Sequence, residues 1–218
     1  MAASPLLSLV RKDLVMEWRQ KHTLFGVLLY VGSTVFVIYM MNGQPVDKVW
    51  NALFWLTQLF VAVNAVAKSF LQESVSRFRY YYSIVKPQTF MLAKMIYSLV
   101  LQTFMTLVSL ILFWIMLGDP ITQNGLFACV ALLGGVSLAL VFTFISAIAA
   151  RANQNTGMMA IIGFPLVTPV LMILGNLALK AIAPVYQPGW WTLAGVLALF
   201  DGLVVVLSVI LFPFLWKE

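Results

Sequence analysis

Six apolar stretches, each long enough to cross a bilayer as a helix, take up most of this 218-residue chain. A hydrocarbon core of about 30 Å is crossed by roughly 20 apolar residues at about 1.5 Å per residue. The stretches run Thr23 to Met41, Val49 to Ala67, Met95 to Leu117, Gly125 to Ala150, Met158 to Leu179 and Trp191 to Trp216. Because lipid offers the backbone no hydrogen bonds, such segments must pair their own amides, which a helix does. The sequence therefore predicts an all-α, polytopic membrane protein with six transmembrane helices. At 62% hydrophobic and 9% charged residues, with too little polar surface to coat a water-soluble fold, a soluble domain is excluded.

The charges set the expected orientation. Of 13 basic residues, all but Lys48 and Lys180 fall on one side of the six stretches. Arg11, Lys12, Arg19 and Lys21 precede the first; Lys68, Arg77, Arg79, Lys86 and Lys94 lie between the second and third; Arg151 and Lys217 complete the set. Basic residues in short loops resist translocation, so that side and both termini are expected in the cytoplasm. The net charge of +6 is explained by this topology and by anionic lipid, without nucleic acid. The first apolar run lacks an A-x-A-like cleavage site, so the N-terminus is read as retained.

Two polar segments are expected to form helices outside the spans. Ser4-Pro5 is a helix start, after which Leu7, Val10, Leu14 and Trp18 fall on one face, with Lys12, Asp13, Arg19 and Gln20 around the other. That pattern suits a helix lying in the cytoplasmic headgroup layer. Between Lys68 and Lys94, Leu71, Val75, Phe78 and Tyr82 form an apolar stripe, Glu73 and Arg77 are an i,i+4 pair, and Arg79 and Tyr80 project elsewhere. A purely topogenic loop is the simpler alternative for this segment. Pro165 and Pro169 in the fifth stretch, and Pro184, Pro188 and Gly189 after it, predict kinks and either bundle packing or a short re-entrant hairpin on the outer side.

The chain carries little chemistry. It has no G-x-x-x-x-G-K-[ST] phosphate loop, H-E-x-x-H or G-x-S-x-G, so ATP-driven work needs a partner and an enzyme reading is weak. The one cysteine, Cys129, allows no intrachain disulfide and reads as a packing residue. His22, the one histidine, is a conceivable haem ligand or an interfacial polar side chain; Trp190 and Trp191 suit either stacking on a flat ligand or the interfacial aromatic belt. Asp201 is the one acid well inside a stretch. A carboxyl there makes a local hydrogen bond, packs against another subunit, or handles protons or substrate. Gln58, Gln102, Asn64 and Asn176 are expected helix-to-helix hydrogen-bonding groups.

Three segments carry a family resemblance: RKDLVMEWRQ from Arg11 to Gln20, FLQESVSRFRYYYSIVKPQTFMLAKMIY from Phe70 to Tyr97, and FPLVTPVLM from Phe164 to Met172. With these the chain resembles, over nearly its whole length, the cytochrome c maturation protein B (haem exporter protein B) family of ABC-2 type membrane subunits. The resemblance implies one permease-like transmembrane domain over residues 1–218 in a bacterial inner membrane, with no catalytic residues of its own. It implies a separate ABC ATPase that binds the ATP, a haem-handling membrane subunit, a small single-span subunit and a periplasmic haem chaperone, with haem as handled ligand. It also gives the segment from Phe70 to Lys86 the role of a cytoplasmic coupling helix, with Glu73, Arg77, Arg79 and Tyr80 at the ATPase interface and Leu71, Val75, Phe78 and Tyr82 as its anchor. In place of the family's F-x-x-D and G-x-L-E pattern, Phe70 is followed here by Glu73 and by Ser76-Arg77-Phe78-Arg79. Two alternatives remain: an ABC-2 permease for lipid or polysaccharide, and a proton-coupled secondary transporter working through Asp201.

Overall fold

The computed structural model describes residues 5–19, 21–43, 45–66, 85–118, 121, 124–150, 156–183, 185 and 187–217. Among them are seven helices and no strand: α1 (Pro5–Arg19), α2 (Lys21–Asn42), α3 (Asp47–Ala65), α4 (Pro87–Leu117), α5 (Asn124–Ala149), α6 (Thr156–Ile182) and α7 (Trp190–Lys217). Four apolar stretches within α4 to α7 are long and apolar enough to cross a membrane: Pro87–Leu117, Gly125–Ala149, Ile161–Ile182 and Trp190–Phe214. The apolar part of α2, Phe25–Met41, is shorter. The expected coupling helix, with Leu71, Glu73, Val75, Arg77, Phe78, Arg79, Tyr80 and Tyr82, lies outside the described residues.

Helix α5 is the hub. It packs against α3, α4, α6 and α7, and 72% of its apolar window is buried, against 28 to 33% for the other three. Small residues make this approach achievable, as in membrane bundles generally. A Cβ on Gly134 would collide with the Trp55 indole of α3, and one on Gly135 would sit 2.7 Å from Thr106 Oγ1 of α4. At one end of the bundle, Trp50 and Phe54 of α3, Phe113 of α4 and Phe127 of α5 form a fully buried aromatic cluster with ring centroids 5.3 to 5.6 Å apart. Edge-to-face pairs of this kind add to the area they bury.

The helix ends follow from local chemistry. Pro87 opens α4 in the first turn, where a missing amide is harmless, and Gly118 closes it at φ 80°, a left-handed conformation that favours glycine. At 31 residues α4 is about 46 Å long, which leaves about 16 Å beyond a 30 Å hydrocarbon core. The sequence placed Lys94 in the preceding loop; the helix in fact begins seven residues earlier, because Pro87 starts it and the hydropathy threshold does not.

Pro165 and Pro169 lie inside a single helix, α6, which packs mainly on α5. Only residues 183–189 separate α6 from α7, and α6 packs against α3, α5 and α7, as the bundle-packed alternative requires. Lys180 donates from Nζ to the Pro188 carbonyl at 2.7 Å, and Gly189 turns the chain at φ 84°.

The close contact at the hub yields a stability test. Gly134→Ala should destabilise the detergent-solubilised protein by about 1 to 3 kcal/mol, because the Trp55 ring must leave its position. Gly175→Ala, where nothing lies within 4 Å of the added carbon, should leave the unfolding temperature at or slightly above that of the parent. Thermal unfolding of both variants checks this.

Candidate functional site: buried polar contacts along α4

A row of polar residues at intervals of four, Lys94, Ser98, Gln102 and Thr106, runs along the buried side of α4. That spacing stacks them on one helix face. In lipid such groups require partners inside the protein. Partners for three of the four come from α1 at one end and α3 in the middle, whereas Ser98 Oγ is buried with no hydrogen-bond partner among the described residues.

At the first rung, Lys94 Nζ lies 3.0 Å from Asp13 Oδ2 of α1, with both side chains almost fully buried. Lys12 approaches the other carboxylate oxygen, also at 3.0 Å. One turn further along each helix, Tyr97 Oη donates to Glu17 Oε2 at 2.7 Å. The Lys94 ammonium also lies 5.8 Å from the Phe90 ring centroid and 5.9 Å from that of Tyr97, within range of cation–π attraction. Phe90 in turn stacks on Phe212 of α7, so the cluster ties α1, α4 and α7 together.

This overturns part of the expected pattern in α1. Asp13, assigned to the polar face, is 6% exposed; Leu7 and Trp18 of the expected apolar stripe, at 60% and 74% exposed, stay turned away from the bundle. Leu9, Asp13 and Glu17 recur every four residues on the inner side, Val10 and Leu14 are partly buried against the core, and Leu7, Arg11, Val15 and Trp18 are exposed. The reason is energetic: a buried lysine without a counter-charge costs several kcal/mol, so an acid of α1 turns inward to meet it. The missed signal was the pairing of i,i+4 acids in α1 with Lys94 and Tyr97, spaced i,i+3, at the edge of an apolar run.

At the middle rungs, Gln58 Oε1 of α3 accepts from Gln102 Nε2 at 3.3 Å and from Thr106 Oγ1 at 3.0 Å, all three residues being buried. The expectation for Gln58 and Gln102 holds. Asn51 Nδ2 of α3 adds a bond to the Gly175 carbonyl of α6 at 2.9 Å. Asn64 and Asn176 differ from expectation, since each donates to a carbonyl one turn back in its own helix, that of Phe60 or Met172.

Asp201 of α7 is 9% exposed, and its Oδ2 accepts from Ser137 Oγ of α5 at 2.7 Å. Ser137 Oγ also lies 3.0 Å from the Leu133 carbonyl. Ser137 was not singled out from the sequence, because a serine in an apolar run carries no signal without its partner. Trp190 is buried with its ring against exposed Trp191, in an edge-to-face contact of 4.8 Å. His22 falls in the first turn of α2, and Cys129 is exposed on α5. Among the described residues no group of His, Cys, Asp and Glu could hold a metal ion.

Breaking the α1–α4 contact should be costly. Lys94→Met leaves Asp13 buried beside Lys12 alone, and should lower the stability of the solubilised protein by about 3 to 5 kcal/mol. The double variant Asp13→Asn/Lys94→Met should recover part of that loss, as coupled partners do. Unfolding temperatures of the two single variants and the double variant measure the coupling, and strict additivity would mean that the pair is not an energetic unit.

No curated protein matched the chain. The profile of one protein family, described as CcmB protein, matches residues 4–216. That span includes α1, the α4 polar row and Asp201, so the chain belongs to the CcmB family, the cytochrome c maturation protein B group of membrane proteins of haem transport.

Proposed function

We propose that this chain is a non-catalytic membrane subunit that transmits work from a separate ABC ATPase on the cytoplasmic side to haem delivery, or to release of a haem-loaded periplasmic chaperone. In this reading it sits in the bacterial inner membrane as one permease-like domain with six spans and both termini cytoplasmic. A haem-handling membrane subunit and a small single-span subunit complete the assembly; haem is the cargo and ATP stays on the partner. The observation that carries the reading is the family match over residues 4–216.

In this reading the work enters between α3 and α4. The segment between Val66 and Val85 connects the end of α3 to the start of α4. Glu73, Arg77, Arg79 and Tyr80 meet the ATPase, while Leu71, Val75, Phe78 and Tyr82 hold the segment against the bundle. A push on it enters α4 at Pro87 and reaches the Lys94–Asp13 contact two turns later, about 10 Å along the helix. Because Gln58 ties α3 to α4 further in, both helices that bracket the segment respond together.

Charge reversal at Arg77 and Arg79 should spare membrane insertion, since the remaining basic residues still set orientation, yet reduce copurified ATPase or uncouple its turnover from cytochrome c maturation. Val75→Pro should break the local helix at a cost of roughly 3 kcal/mol and prevent docking. Wild-type values of bound ATPase, its turnover and mature cytochrome c in both variants would reduce the segment to a topogenic loop.

The proton-coupled alternative makes a different demand. Asp201→Asn keeps a hydrogen-bonding group opposite Ser137, and should leave assembly and cytochrome c maturation close to wild type. Loss of mature cytochrome c with the complex still assembled would instead give Asp201 a proton or substrate role.

A further inference from the structure

Helix α1 is amphipathic in an unexpected sense. Its two acids, Asp13 and Glu17, are engaged by Lys94 and Tyr97 on the bundle side. The opposite side is an open groove of about 480 Å3, lined among the described residues by Leu7, Val10, Leu14, Val15 and Trp18 together with Arg11 and Arg19. Leu7, Val15, Trp18 and both arginines are exposed. Apolar surface therefore lies between two guanidinium groups, with no carboxylate on that side of the helix.

We propose that this groove is a binding site for anionic phospholipid, with acyl chain against Leu7, Val15 and Trp18 and the phosphate-bearing headgroup between Arg11 and Arg19. Charge complementarity selects this occupant. Both acids of α1 are drawn inward, Asp13 in an ion pair with Lys94 and Glu17 accepting from the neutral Tyr97 phenol, so the outer face carries only basic charge and an anionic headgroup gains there what a zwitterionic one loses to its own ammonium. Apolar area and basic charge are the two terms that hold a helix in a headgroup layer, and here they share one face. The Lys94–Asp13 contact fixes the rotation of α1 and so presents the groove outward. Guanidinium forks bind phosphate in two-point fashion, which makes arginine better suited to this task than lysine.

The inference rests on the proposed interfacial position of α1, and the test separates the two. A bimane fluorophore is attached at Val15→Cys in a Cys129→Ala background, and the protein is reconstituted into phosphatidylcholine vesicles containing about one-fifth phosphatidylglycerol. The bromine quencher is carried on the acyl chains of one lipid at a time, at equal bromine content. Brominated phosphatidylglycerol should quench at least about twofold more than brominated phosphatidylcholine, and Arg11→Gln/Arg19→Gln should abolish the difference while leaving quenching itself in place. Equal quenching by both lipids in the parent protein, or a preference that survives the double substitution, would overturn the lipid selectivity alone. Quenching by neither lipid would mean that protein, such as a second copy or another subunit, fills the groove, and would remove the interfacial placement as well.

Discussion

A bilayer interior accepts no hydrogen bonds, and most of the described polar contacts answer to that constraint. Helix α4 meets it at three depths. At one end its lysine is neutralised by α1; in the middle its glutamine and threonine share one carbonyl oxygen of Gln58; at the other end Phe113 joins Trp50, Phe54 and Phe127 in an aromatic cluster. The chemistry changes along the helix: an ion pair at the first rung, neutral hydrogen bonds in the middle, and ring contacts at the far end. An ion pair at the middle position would cost more to desolvate than the two neutral bonds found there.

Helix α5 serves the complementary need. With glycines at 134 and 135 and a serine at 137, it lets three neighbours approach within one turn: Trp55 from α3, Thr106 from α4 and Asp201 from α7. Membrane helices gain little from the hydrophobic effect once inserted, so such close approach, with its dispersion contacts, is a principal source of cohesion. The polar row of α4 and the small residues of α5 thus depend on each other. Thr106 can reach Gln58 because Gly135 leaves it room.

Much of this was legible in the sequence, and the part that was not follows a rule. Helical class and the apolar segments of α4 to α7 came from hydropathy, which lipid enforces residue by residue. Gln58 and Gln102 were readable because an amide within a span has few alternatives to a neighbouring helix. The place of Asp13 was misread: amphipathicity was judged on α1 alone, whereas this acid turns inward to meet Lys94, about 80 residues away in the chain. Asn176 and Asn64 misled in the opposite way, since a side chain can satisfy itself on its own helix and leave no trace of that choice in sequence. Ser137 and Gly134 carry meaning only through Asp201 and Trp55, which no local window contains.

Lys180 is one of two basic residues set against the sided distribution of the other eleven. Its bond to the Pro188 carbonyl gives the exception a material cause. In the proposed orientation the chain carries a charge across the membrane during insertion because the finished protein requires a clamp on a turn rich in proline, whose amides cannot serve as donors. Biogenesis and architecture therefore pull on this residue in opposite directions. A neutral replacement would be easier to export yet would release the clamp between the last two spans, so the burden of orienting the protein falls on its basic side, whose surplus of charge is large enough to bear Lys180 as well as Lys48.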